Sequence, residues 1–121
     1  MVKNDCFSSE IVDLSFLNEH LSFDMEQYSQ MISLFLDQSK EKMVELKENV
    51  ENEDFPAIKA TAHFLKSSFT IMGLKSNYLL VEMETESLNG KDIEKINDLF
   101  DRVEDNYSKS IDEYKKILAA I

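Results

Sequence analysis

The 121-residue chain carries 24 acidic and 13 basic side chains, and its formal net charge of −11 argues against a phosphate backbone or an anionic membrane surface as the main partner. A hydrophobic share of 43% is too high for a disordered chain, and the length suits one modest core. The single cysteine, Cys6, excludes an internal disulfide. No run approaches the ~18 apolar residues of a membrane span or forms the apolar stretch of a signal peptide, so one cytoplasmic domain over residues 1–121 is expected.

Two glycines and one proline leave little room for hairpins, and the apolar residues recur at helical spacing, which predicts an all-α fold. "DLSFLNEHLS" reads as a short first helix at about residues 14–22, with Ser15 as N-cap and a break near Ser22-Phe23. Asp24 and Gln27 resemble a capping box. The stripe Tyr28, Ile32, Phe35, Ser39, Met43, Leu46 and Val50 then carries a long helix to about Glu53. Asp54 and Pro56 restart the chain as helix-opening signals, and Gly73 is expected to close that second long helix.

From Leu74 a third helix is expected to turn Leu74, Tyr78, Val81 and Leu88 inward, ending at an Asn89-Gly90 turn that tolerates positive φ. The fourth begins at about Asp92 and buries Ile93, Ile96, Phe100, Val103, Tyr107, Ile111, Tyr114 and Leu118. Short connections make sequential helices antiparallel neighbours. The expected architecture is an antiparallel up-down four-helix bundle over about residues 24–120, with the short N-terminal helix as a lid.

The segment "TAHFLKSSFTIMG" holds His63 three residues before Lys66 and ten before Gly73. On a helical wheel at about 100° per residue, Lys59, Lys66, Ser67 and Thr70 fall within about 60° of His63. Ile58, Leu65, Phe69 and Met72 occupy the opposite, core-facing side. His63 is therefore expected to face solvent between two lysines. A neutral exposed imidazole is a competent nucleophile for a phosphoryl group, the lysines would offset the charge that group brings, and the small Ser67 would let a partner approach. A solvated surface histidine fits the spacing as well.

"AHFLKSSFTIMG" resembles the signature of histidine-containing phosphotransfer (HPt) domains: a His, then Leu and Lys at the second and third positions, small residues next, and Gly at the tenth. His63, Leu65, Lys66, Ser68 and Gly73 match it. The resemblance implies a four-helix bundle and a phosphorelay intermediate in two-component signalling. His63 would accept a phosphoryl group from a receiver-domain aspartate and pass it on, with Lys66, and Lys59 as further support, balancing the charge. It implies as partners the receiver domains of a hybrid sensor histidine kinase or a response regulator, with any Mg²⁺ belonging to the receiver. Ser67 stands where the family usually has Gly. Beyond Gly73 the family's Leu and Leu-Glu positions read Asn77, Glu84 and Thr85, so no site residue is carried onto the third helix.

No P-loop or glycine-rich nucleotide segment is present, so no kinase activity from ATP, no cofactor and no metal site are expected, and the chain should act as a monomer. His20, in "LNEHLS", reads as a surface residue, and "VEMETES" as a solvated helix face. Met25, Met31, Met43, Met72 and Met83 read as core filler. Phe64 lies between the two faces and either packs or joins Ser67 and Thr70 in receiver docking; Ile71 is expected to pack. The competing reading is an acidic helical adaptor that binds a signalling partner without phosphotransfer.

Overall fold

The computed structural model describes residues 11–13 and 25–120. The expected helix at about residues 14–22, its Ser15 cap, His20, Cys6 and the Asp24 half of the capping box lie outside these residues. Four helices make up nearly all of what is described: α1 (Met25–Glu51), α2 (Phe55–Ile71), α3 (Asn77–Leu88) and α4 (Ile93–Ala120). Each packs on its neighbours in sequence, and α4 closes the ring against α1, which gives the up-down bundle. None of these helices is long and apolar enough to cross a membrane.

The helix ends follow local chemistry. Asp54 caps α2 by accepting from the Ala57 N–H at 3.2 Å, with Pro56 in the first turn, where a missing N–H does no harm. Asp92 does the same for α4, accepting from the Glu94 and Lys95 amides at 3.1 and 3.3 Å. α1 and α2 close in the same manner. After α1 the Asp54 and Glu53 amides reach back to the Asn49 and Val50 carbonyls; after α2 the Leu74 and Gly73 amides reach the Phe69 and Thr70 carbonyls. Both closures need a left-handed residue, supplied by Glu53 (φ 52°) and Gly73 (φ 74°). In the α3–α4 connection that conformation falls on Lys91 (φ 52°), one residue beyond the Asn89-Gly90 pair expected to provide it.

The α1 stripe is buried throughout, from Tyr28 to Val50, as are Ile96, Phe100, Val103, Tyr107 and Tyr114 of α4; Ile93, Ile111 and Leu118 are partly buried. On α3 the expected register is wrong. Leu79, Leu80, Met83 and Ser87 point inward, while Tyr78, Val81 and Leu88 remain 53%, 45% and 56% exposed. Leu74 is buried as expected, but ahead of the helix. It pairs in an isolated antiparallel bridge with Val12, itself fully buried, and the Asp13 and Lys75 amides donate to the Gly73 and Ile11 carbonyls at 2.7 and 2.9 Å.

An aromatic cluster joins α1, α2 and α4. Phe35 meets Phe69, Tyr107 and Tyr114 edge-on at 6.1, 6.4 and 5.4 Å between centroids, and Phe69 stacks on Tyr107 at 6.2 Å. Such pairs contribute roughly 0.5–1.5 kcal/mol beyond the area they bury. Both phenols find partners. The Tyr107 and Ser39 hydroxyls lie 2.8 Å apart, and Tyr114 donates to the Met72 carbonyl at 2.6 Å, tying α4 to the end of α2. Burial raises both phenols above the usual tyrosine range, an effect the Ser39 bond partly offsets at Tyr107.

Candidate functional site

α2 lies between α1 and α3, with Ile58, Leu65 and Phe69 fully buried and Met72 nearly so. The opposite side of the same helix carries His63, whose side chain is 64% exposed. The face inferred from the wheel is thus the outer face of the bundle. Lys59, Ser67 and Thr70 are exposed along it, and Lys66 is half-buried.

Glu84 on α3 organises this face. Its Oε2 lies 3.1 Å from His63 Nδ1 and its Oε1 lies 3.1 Å from Lys66 Nζ. The carboxylate is only 15% exposed, and Oε1 has the Lys66 charge nearby without the angle of a hydrogen bond. An ionised carboxylate can only accept, so Nδ1 must carry the proton and Nε2 is left with its lone pair. Fixing the tautomer through the far nitrogen leaves the outer nitrogen nucleophilic.

This overturns two expectations. "VEMETES" is not a uniformly solvated face, since Glu84 is largely buried against α2 and Glu86, 12% exposed, pairs with Lys95 at 3.1 Å and accepts from the Asp92 amide. The third helix does reach His63 and Lys66 through Glu84. A signal for Glu84 was present in the spacing: residues equally far from an antiparallel corner face each other, and His63 and Glu84 each stand ten residues from the Gly73-Leu74 corner. The same count pairs Thr70 with Asn77, whose Nδ2 donates to Thr70 Oγ1 at 3.0 Å.

The remaining candidates spread along the face. Ser67 Oγ turns back to the His63 carbonyl at 3.4 Å, which keeps its bulk off the ring, and Thr70 Oγ1 donates to the Lys66 carbonyl at 2.8 Å. Lys59 is exposed and forms no ion pair among the described residues. Phe64 is 41% exposed on the α1 side, with Lys42 Nζ 4.8 Å above its ring. Ile71, expected to pack, is 40% exposed because it lies over the α1–α2 seam beside Leu34, itself 51% exposed. Gly73 lies about 15 Å along α2 from His63 and belongs to the corner rather than to the His63 face. Its Cα faces the Asp13 carbonyl so closely that any Cβ would collide with it.

The charge on this face contrasts with the rest of the chain. α2 carries Lys59 and Lys66 and no carboxylate, whereas α1, α3 and α4 each carry an acidic excess. An exposed imidazole with its proton held inward, a lysine beside it and small or apolar neighbours can accept and hold an anionic group delivered from another molecule.

Comparison with known proteins bears on the fold and the family. The crystal structure of histidine-containing phosphotransfer protein B (HptB) from Pseudomonas aeruginosa PAO1 matches with a TM-score of 0.85, covering 94% of this chain and 99% of that one at 18% sequence identity, so the two share a fold. No curated protein sequence matches the chain. The family model described as Hpt domain matches residues 30–106, well over half of the sequence and a stretch that contains His63, Lys66 and Glu84. The chain belongs to the Hpt domain family.

Proposed function

We propose that His63 is the phosphoacceptor of a phosphorelay and that the carboxylate of Glu84 on His63 Nδ1 is the observation that carries this assignment. The Nε2 lone pair attacks the phosphorus of an aspartyl phosphate on a receiver domain. The N–P bond forms as the P–O bond to the aspartate breaks, and the carboxylate leaves with its electron pair. The imidazolium so formed keeps its proton on Nδ1, where Glu84 balances the charge. Transfer onward reverses the roles: a carboxylate of a second receiver attacks and Nε2 departs.

Lys66 supplies positive charge beside the incoming group, and Lys59 adds to the field one turn away. Ser67 and Thr70 keep the approach open, and Phe64 offers apolar contact to the docked receiver. A receiver's acidic phosphorylation pocket suits a face whose own helix holds lysines only. Any Mg²⁺ belongs to the receiver, the chain does not phosphorylate itself from ATP, and it works in the cytoplasm as a monomer. Incubation with a phosphorylated receiver tests the reading. Acid-labile label is expected on His63 and none on the His63→Gln variant, which should fold normally; label on His20 instead would overturn the assignment.

A further inference from the structure

A groove of about 1000 Å³ runs between α1 and α4, on the side of the ring opposite the α2–α3 seam that holds His63 and Glu84. Its floor is apolar. Buried Met43 and Tyr107 lie beneath half-buried Leu36 and Ile111, and Val44 at its edge is 56% exposed.

The walls carry opposite charges. The Ser39–Tyr107 bond sets the register of this antiparallel pair, so that Lys40 and Lys47 of α1 stand across from Asp101, Glu104 and Asp105 of α4. Toward the other end the signs exchange, with Asp37 on α1 and Lys115 on α4. Opposite charges thus face each other along the groove, yet no ion pair joins its two walls among the described residues; Asp105 pairs instead with Lys109 of its own helix at 3.0 Å. The bundle does not use this complementarity internally.

We propose that the α1–α4 groove docks an amphipathic helix of a partner protein, one with an apolar stripe at i, i+3/i+4 and i+7 bordered by charges in diagonal blocks. Basic residues on its edge meet Asp101 and Glu104, acidic residues meet Lys40 and Lys47, and the signs exchange toward Asp37 and Lys115. Occupancy leaves the His63 face open, so a partner can hold the chain here while another molecule reaches the ring. The groove assignment stands independently of His63 chemistry.

The probe is a synthetic helical peptide of about 18 residues, long enough to span the groove at 1.5 Å per residue. It carries a leucine stripe and the matched charge blocks, and its control has the same composition with every charge inverted. The diagonal pattern maps onto itself when the peptide is turned end for end, so the control cannot mimic the match by reversing. The matched peptide is expected to bind the full chain at least roughly tenfold tighter than the control. Amide shifts should fall on Leu36, Val44 and Ile111 and not on Ser67. Val44→Lys, at an exposed position, should weaken binding roughly tenfold, and Lys47→Glu with Asp101→Lys should move the preference toward the inverted peptide. Equal affinities, no binding, or shifts on the His63 face would overturn the proposal. So would self-association that Val44→Lys abolishes, because the groove would then belong to a second copy.

Discussion

One carboxylate, Glu84, touches both His63 and Lys66, with 3.1 Å to His63 Nδ1 and 3.1 Å to Lys66 Nζ. Orientation of the imidazole and placement of the neighbouring cation therefore rest on a single side chain of a different helix. Glu84→Ala should release the ring and slow phosphoryl transfer roughly tenfold, the equivalent of about 1.4 kcal/mol. Glu84→Gln keeps an acceptor for the Nδ1 proton but not the charge that balances the imidazolium, and should fall between Glu84→Ala and the parent. Single-turnover transfer from a phosphorylated receiver, with nitrogen NMR of the ring to read the tautomer, distinguishes the two; parental rates in both variants would remove Glu84 from the mechanism.

Lys66→Ala should act on rate and stability together. Its side chain is 30% exposed and its ammonium sits by a Glu84 oxygen that solvent does not reach, so truncation leaves that oxygen without a compensating charge, at about 1 kcal/mol. Transfer should slow as well, since the cation beside the incoming group is gone. Urea unfolding and transfer rate, measured on one preparation, check both; an unchanged rate would make Lys66 a purely structural partner of Glu84.

Ser67 separates docking from folding. The residue is exposed one turn from His63, so Ser67→Leu should unfold within about 0.5 kcal/mol of the parent and yet transfer far more slowly, because the new side chain meets the receiver. Ser67→Gly should lose roughly half a kcal/mol of helix stability while keeping or improving transfer. Thermal unfolding and transfer from one receiver provide the comparison, and rapid transfer by Ser67→Leu would mean the partner docks elsewhere.

Gly73→Ala should be costly far from the reactive ring. The residue is at φ 74° and a Cβ would strike the Asp13 carbonyl, so strain of about 1–3 kcal/mol and a detached 11–13 segment are expected. Denaturant unfolding reads the first. Faster hydrogen exchange at the Lys75 amide, which donates to Ile11, reads the second. Unchanged protection there would show that the corner tolerates a side chain.

Tyr114 predicts an alkaline limit. Burial raises the phenol's folded pKa above its ordinary 10.0, so its contribution is complete below about pH 10 and is lost progressively as pH rises above that, where the unfolded chain ionises first. Tyr114→Phe should be less stable at pH 8 by about 1 kcal/mol, from the lost bond to the Met72 carbonyl, and should lose less stability between pH 8 and pH 11 than the parent. Parallel curves at both pH values would remove Tyr114 as a source of the alkaline loss.

The three long helices were legible because each carries one unambiguous signal or more: Asp54-Pro56 opens α2, Gly73 closes it, and the stripes from Tyr28 to Val50 and from Ile96 to Tyr114 each fit one register. On α3 the signals conflicted. Tyr78, Val81 and Leu88 form one helical stripe and Leu79, Leu80, Met83 and Ser87 another, so local pattern offered two registers and only packing chose. Glu84 was obscured for the same reason, its charge suggesting solvent while its distance from the corner placed it against His63. The Val12–Leu74 bridge joins residues far apart in sequence and has no helical period to announce it.

Tyr114, which clasps the Met72 carbonyl, and the strap from Ile11 to Asp13 lie outside residues 30–106, the stretch that carries the family signature. A fragment trimmed to that signature would leave the Met72 carbonyl without its phenol and Leu74 without its cover, at the corner where the helix of His63 ends. The unit that must be expressed to study the relay is therefore wider than the unit by which it is recognised, and its margins are set by a phenol and a valine rather than by any residue near the histidine.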